Sequence, residues 1–256
     1  MISCCLMGGL GNQLFEIATA HALALRHNDQ SGFNLYACHT PQQGNKAIKY
    51  SDTLYKNLNR IEQLNFGNVY SEKKFSFDEI PYSSNLLLLG YFQSYKYFFD
   101  FKDEIIKLFH FPAEIDQTVM EFLKNLNKEN ITVIHVRRGD YLNHPDFHIE
   151  LPKEYFIKGM SSLTNTHYIF ISDDIEWVKD NFKGENISYS QFNDELLDLR
   201  LMTLSNNLII SNSSFSWWGA FLNQNSNKVV IAPKNWFGPK GPQDTQDIIP
   251  NNWFIL

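Results

Sequence analysis

The sequence predicts an α/β protein built from two doubly wound, parallel-stranded halves facing a cleft. Three observations carry that expectation. Short apolar runs alternate with helical patterns along most of the chain, the signature of parallel strands covered on both faces. A glycine-rich turn, Gly8-Gly9-Leu10-Gly11, joins the first apolar run to the first helical pattern. The alternation then stops at the polar run 127–130 and starts again. A chain of 256 residues accommodates one large or two small domains. The break sets halves at 1–125 and 126–256, with the boundary region at 112–130.

The elements follow in order. Residues 2–7 read as a strand and 13–27 as a helix, since Leu14, Ile17, Ala18, Ala22 and Leu25 recur at helical spacing. Residues 34–37 suggest a second strand, and 40–85 are polar and irregular. Residues 85–91, with Leu86 to Leu89 at their centre, read as a buried strand, 95–110 as a Phe-rich helix stopped by Pro112, and 114–126 as another helix. In the second half, strands are expected at 131–137, 168–172, 208–211 and 229–232. Helices are expected at 152–163, 175–182, 194–205 and 215–224. Trp217 and Trp218 are adjacent and cannot share one helix face, so one of them is expected at a cleft or edge.

Composition narrows the function. Lys plus Arg number 22 against 28 Asp plus Glu, a net charge of −6, which disfavours general binding of nucleic acid or anionic membrane. Cys4, Cys5 and Cys38 form no metal-ligand spacing and read as reduced thiols. No run of about 18 apolar residues is present to span a bilayer, and the first residues do not resemble a signal peptide. A cytoplasmic location is expected, and the sequons at Asn130, Asn186 and Asn212 read as accidental.

Four segments could carry chemistry. The glycine turn at 8–11 is a place where backbone approaches a phosphate, but Leu14 stands where a dinucleotide fingerprint needs its third glycine. No phosphate-binding G-x-x-x-x-G-K-[ST] occurs either. In His135-Val136-Arg137-Arg138-Gly139-Asp140, alternation along a strand puts His135 and Arg137 on one side and Val136 and Arg138 on the other. Arg137 at a strand end offers a planar donor fork suited to a diphosphate. Asp173-Asp174 reads first as a helix cap, then as a nucleobase contact, then as a metal ligand. Finally, Ser211-Asn212-Ser213-Ser214-Phe215 joins a strand to a helix, where hydroxyls and unpaired amides form an anion cradle.

Several motifs coincide in order: Gly9-Leu10-Gly11-Asn12-Gln13-Leu14-Phe15, Gly90-Tyr91-Phe92-Gln93-Ser94, His135 to Tyr141, Ser172-Asp173-Asp174, Ser211 to Trp218, and Ala232-Pro233-Lys234 with Trp236-Phe237. Together they resemble the α-1,2-fucosyltransferase family, over nearly the whole chain. The resemblance implies a GT-B-like fold, GDP-β-L-fucose as donor, inversion at the anomeric carbon, and no metal or other cofactor. The implied acceptor is a galactose-terminated oligosaccharide, with the first half on the acceptor side and the second half holding the donor. It also implies a bacterial enzyme of surface-glycan synthesis such as lipopolysaccharide O-antigen, cytoplasmic or peripheral to the inner membrane.

Carried over residue by residue, the resemblance places Arg137 on the donor diphosphate with His135 beside it. It gives Asp198 the guanine edge and sets Ser213, Ser214 and Phe215 around the nucleotide, with Asn12 near the donor. Where some relatives carry a glutamate as base, on the first loop or shortly after the arginine motif, this chain has none. Asp140 is the first base candidate, followed by Asp146, Glu150 and His144. Tyr91, Phe92, Tyr95 and Tyr97 offer stacking faces for an acceptor sugar or fill the core. The other readings are a GDP-sugar-binding, lectin-like protein without turnover and a transferase of another GDP-sugar, with a dinucleotide oxidoreductase last.

Overall fold

A computed structural model describes residues 1–37 and 44–256, and Cys38 therefore lies outside the described residues. They form two compact units, Met1–Pro112 with Asp244–Pro250, and Ala113–Gln243 with Asn251–Leu256. The division falls at Pro112 rather than at 125, and a C-terminal segment returns to the first unit.

In the first unit, β1 (Ile2–Cys4) leads through the glycine turn into α1 (Leu10–Arg26). The strands β2 (Asn68–Ser71) and β3 (Leu86–Leu89) complete a parallel sheet in the order β1-β3-β2. The first helix is buried on nearly all sides, so its polar residues must be satisfied internally. Gln13 donates to the Gly8 and Asn45 carbonyls and accepts from the Tyr55 hydroxyl at 3.1 Å. Glu16, fully buried, accepts the Met7 amide at 2.8 Å. These two side chains hold the glycine turn from beneath. Cys4 and Cys5 are buried, and burial pushes the Cys4 thiol well up.

Two expectations for this unit are corrected. Residues 34–37 are not a strand: Asn34 Oδ1 accepts the Tyr36 and Ala37 amides at 2.8 Å each, a local turn that ends the extended run. Only Ser31 and Phe33 make isolated parallel bridges, to Ile2 and Arg60. Residues 95–110 are not one helix. Two 3-10 turns, Tyr95–Tyr97 and Phe99–Phe101, precede the short α2 (Lys102–Leu108), because Phe98 leaves helical geometry at φ −137°, ψ 2°. Tyr97 and Phe98 turn into the core instead.

The second unit begins with α3 (Ala113–Leu126), which joins it by packing on its own helices. Asp116 pairs with Arg200 at 2.7 Å, and the Phe122 and Phe192 rings meet at 5.0 Å. There follow β4 (Ile131–Val136), α4 (Lys153–Ser162), β5 (His167–Ser172), α5 (Ile175–Asn181), β6 (Ile187–Tyr189) and α6 (Glu195–Leu204). Then come β7 (Asn207–Ile209), α7 (Ser214–Leu222), β8 (Val230–Ala232) and β9 (Phe254–Ile255). All six strands are parallel, in the order β6-β5-β4-β7-β8-β9. Counted within the unit this is 3-2-1-4-5-6, the order of dinucleotide-binding sheets. The direction of winding reverses between β4 and β7.

Every residue of β4 is buried, as a central parallel strand requires. Ile134 and Val136 face a core with Tyr155, Phe156, Phe170 and Val178, whereas His135 lies 5.4 Å from the Phe215 ring. The strand therefore alternates as the sequence predicts. Both Trp217 and Trp218 are fully buried, which corrects the expectation that one lines an edge. The helix α7 is buried on several sides at once: Trp217 stacks on Phe221 at 5.0 Å and meets Trp253 at 5.5 Å. On another side Gly219 approaches Met202 of α6 so closely that a Cβ there would lie 2.7 Å from Met202 Cβ. Trp217→Ala is expected to cost about 3–5 kcal/mol by leaving a large cavity, measurable as a shift in the denaturant midpoint; a shift below 1 kcal/mol would contradict this packing.

Candidate functional site

The C-terminal ends of parallel strands leave backbone amides and the following helix starts open to a ligand, and the crevice is deepest where winding reverses. Here that point lies between β4 and β7. Ser211, just beyond β7, bridges it: its hydroxyl donates to the His135 carbonyl at 2.7 Å and accepts the Arg137 amide at 3.1 Å. Asn212 next to it donates to the Ile149 and Trp236 carbonyls, and its own carbonyl accepts the Tyr141 hydroxyl at 2.8 Å. The turn leading into α7 is thus fixed on both sides. Ser213 is the N-cap of α7 and makes no side-chain cap bond to that helix. With Asn212 buried, the sequon at that position cannot carry a glycan.

Arg137 leaves the end of β4 with its side chain one-third exposed. Its guanidinium pairs with Asp140 at 2.6 Å and with Asp173 at 3.1 Å, and it lies 5.5 Å from the Tyr141 ring centroid. Arg138 points to the other face. It is 12% exposed, pairs with Asp174 and Glu150, and sits 4.0 Å over the Trp177 ring. The two arginines therefore differ in kind: Arg137 is held at an accessible rim, and Arg138 is built into packing around α5.

The acidic pair after β5 divides its work. Asp174 caps α5 by accepting the Trp177 amide at 3.3 Å, so the cap reading applies to it. Asp173 instead accepts the Arg138 amide at 2.9 Å and pairs with Arg137. Gly139 makes room for this, because a Cβ there would fall 2.5 Å from Asp173 Oδ2. No sequence signal short of the sheet order could have linked Asp173 to Arg137, since 36 positions separate them in the chain.

His135 is buried and its Nδ1 has no hydrogen-bond partner. Burial first, then the Arg137 charge, pushes its pKa down to about 3, so the ring is neutral. Asp198, in the first turn of α6, accepts the Ser190 hydroxyl at 2.5 Å. Burial raises its pKa to about 6, the Ser190 hydrogen bond opposes that rise, and Asp194 adds to it. Ser190 directly follows β6, so Asp198 belongs to the same C-terminal edge as Arg137. Sequence reasoning missed Ser190 because β6 itself was not recognised.

The structure brings Arg137, Asp140, His135, Ser213, Ser214 and Phe215 to the β4–β7 end of one sheet, with Asp198 beyond β6. Asn12 lies in the other unit, in the first turn of α1, where its Oδ1 accepts the Gln93 amide at 2.9 Å. Among the base candidates, Asp140 is ion-paired to Arg137, Glu150 to Arg138, and Asp146 to Lys240 at 2.6 Å. Among the described residues, no group of three or more His, Cys, Asp or Glu is arranged to hold a metal ion. None of the described helices is long and apolar enough to cross a membrane.

A sheet wound 3-2-1-4-5-6, with a guanidinium, serine hydroxyls and a helix start gathered at its reversal point, defines a doubly wound α/β protein whose crevice lies at that point. Comparison with known proteins narrows the class to one family. The chain belongs to glycosyl transferase family 11, which matches residues 1–256, the family that the motifs resemble. The O-antigen biosynthesis glycosyltransferase WbnK of Escherichia coli is 28% identical, with 91% of this chain and 94% of that protein aligned. An α-1,2-colitosyltransferase of Escherichia coli is also 28% identical, over 97% of this chain and 96% of that protein. A galactoside 2-α-L-fucosyltransferase of Caenorhabditis elegans is 26% identical, over 94% and 72%. Among solved structures, NodZ α-1,6-fucosyltransferase co-crystallised with GDP matches with a TM-score of 0.55 at 13% identity, covering 86% of this chain and 92% of that one. At that identity the likeness concerns the fold, which is GT-B-like, as expected.

Proposed function

We propose that this protein transfers L-fucose from GDP-β-L-fucose to the 2-hydroxyl of a terminal galactose, with inversion, during assembly of a bacterial surface glycan such as O-antigen. The reading places it in the cytoplasm or at the inner membrane's cytoplasmic face. The observation that carries it is Arg137 set at the β4–β7 reversal point beside the Ser211–Ser214 turn. The names of the relatives, with their α-1,2 linkages and O-antigen role, support it.

In the reaction the galactose O2 forms a bond to fucose C1 as the bond from C1 to the β-phosphate oxygen breaks. Negative charge grows on the departing GDP. Arg137, the Ser213 hydroxyl and the positive end of the α7 dipole are arranged to take up that charge with little rearrangement. Asp198 accepts the donor N–H groups of the guanine edge. A diphosphate at Arg137 competes with Asp140 and Asp173 for the same guanidinium. Asp140, loosened in that exchange, takes the proton from the acceptor hydroxyl. Transfer needs no divalent metal here, because Arg137 takes the charge a cation would neutralise, while Asp173 and Asp174 stay engaged by the Arg138 amide and guanidinium.

One specific observation favours a second donor: the colitosyltransferase relative aligns with nearly the whole chain. Colitose is L-fucose lacking the 3-hydroxyl, so the two donors differ at one group. A site that hydrogen-bonds the 3-hydroxyl rejects the deoxy sugar strongly, whereas an apolar one discriminates weakly. The test is to incubate the protein with GDP-fucose or GDP-colitose and a panel of β-galactosides, with and without excess EDTA, and to determine the linkage by NMR. Fucose on galactose O2, undiminished by EDTA, is expected. A strict Mg²⁺ or Mn²⁺ requirement would assign Asp173 and Asp174 to a metal, and GDP binding without transfer from either donor would select a lectin-like protein.

A further inference from the structure

Arg137 has one neighbour besides its acidic partners that bears on its role. Directly after β4 the chain makes a 3-10 turn, Gly139–Asn143, which carries Tyr141. The Tyr141 ring is buried, and the Arg137 guanidinium lies over it, 5.5 Å from the centroid. The Tyr141 hydroxyl donates to the Asn212 carbonyl at 2.8 Å. That bond pins the tip of the phenol but leaves the ring free to turn about its long axis, so another group must set its plane. His148 does so. Its ring stacks on Tyr141 at 4.1 Å, with 5° between the two planes.

His148 is itself firmly placed. Its amide donates to the His144 carbonyl at 2.9 Å, and its backbone bridges antiparallel to Phe237. Phe147 meets the imidazole edge-to-face at 4.8 Å, and the Phe147 carbonyl accepts the Gly238 amide at 2.8 Å. Gly238 allows this approach, because a Cβ there would fall 2.5 Å from the Asp146 carbonyl oxygen. The buried Nδ1 of His148 makes no hydrogen bond, so the ring acts as a flat face. Burial lowers its pKa, Asp140 opposes that, and Arg137 and His144 add to the lowering. The stacked ring is therefore neutral at pH 7 and sets no second cation beside Arg137.

An aromatic face attracts a guanidinium without neutralising it. Asp140 and Asp173 hold Arg137 through the same N–H groups that a diphosphate would take, whereas the Tyr141 face leaves those groups free to donate. We infer that His148 is a positioning residue for Arg137. It fixes the plane of the Tyr141 ring, and that ring steadies the guanidinium while a diphosphate takes its hydrogen bonds. This rests on the assignment of Arg137 to the donor diphosphate made above.

The test reads the ratio of GDP to GMP affinity by calorimetry, with guanosine affinity and Tm as controls for folding and kcat measured alongside. His148→Ala is expected to lower that ratio about fivefold and kcat by a similar factor, with guanosine affinity within about twofold of wild type. His148→Phe keeps a flat face and is expected to retain most of both. On an Arg137→Ala background, His148→Ala should change neither quantity further, because the two residues act through one contact. An unchanged ratio in His148→Ala, an equal loss in His148→Phe, or a further loss on the Arg137→Ala background would overturn the inference. A ratio that Arg137→Ala alone leaves at the wild-type value would instead refute the diphosphate assignment, and the inference with it.

Discussion

Replacing Arg137 by alanine is expected to lower kcat for sugar transfer by about a hundredfold or more, roughly 3 kcal/mol in the barrier. Arg137→Lys should lose nearly as much. A lysine brings one point charge where a planar fork is needed, and it cannot pair with Asp140 and Asp173 at once in the observed geometry. Asp173→Asn removes a charged partner of Arg137 without touching the donor, and a smaller, roughly tenfold loss is expected. Arg138→Ala behaves differently. Its guanidinium lies over Trp177 and pairs with Asp174 and Glu150, so the change should appear as a lower Tm, with much of kcat retained by the folded fraction. Equal kcat losses at the two arginines, with Tm unchanged in both, would contradict the division between rim and packing.

The second large effect concerns Asp198. Two charge-assisted hydrogen bonds to a guanine edge contribute about 1.5–3 kcal/mol each, so Asp198→Ala should weaken GDP binding at least tenfold while narrowing the preference for GDP over ADP. Its carboxyl titrates near pH 6 in the free protein, and only the ionised form can accept both guanine donors. GDP affinity should therefore fall as the pH drops through about 6, approaching tenfold per unit, and Asp198→Asn should flatten that dependence. Folding has the opposite sign. A folded pKa raised above the unfolded value near 3.9 means that the ionised carboxylate is disfavoured in the native state above pH 6. Asp198→Asn should then be at least as stable as wild type at pH 7–8, with the difference fading as the pH falls toward 4. Loss of stability together with unchanged GDP affinity would make Asp198 a structural residue.

Much of the fold was legible because burial writes itself into composition. The run 86–89 is continuously apolar and 131–136 is interrupted only by Thr132 and His135, as strands covered on both faces tend to be, and the helical patterns repeat at their own period. What escaped was short or edge-bound. The strands β2, β6 and β9 have four, three and two residues, too few for a periodic signal, and β9 is exposed. The aromatic run 95–101 satisfies helical spacing by coincidence, while Phe98 leaves helical geometry there. Trp217 and Trp218 misled because a helix surrounded by protein has no exposed face to choose.

The site divides along the same line. Arg137 and the serine turn could be placed from strand-end logic alone, since both follow apolar strands directly. The pairings could not. Ser211 reaches His135 and Arg137 only because β7 lies beside β4, and Asp173 reaches Arg137 only because β5 lies on the other side. Each is a consequence of strand order, which a single sequence does not display.

The most direct measurement compares GDP, GMP and guanosine binding by calorimetry for the wild type and Arg137→Ala. If Arg137 grips the donor's diphosphate, the wild type should bind GDP at least tenfold more tightly than GMP. Arg137→Ala should erase that difference while leaving guanosine affinity intact. GDP bound equally well by both proteins would contradict the assignment of Arg137 to the diphosphate.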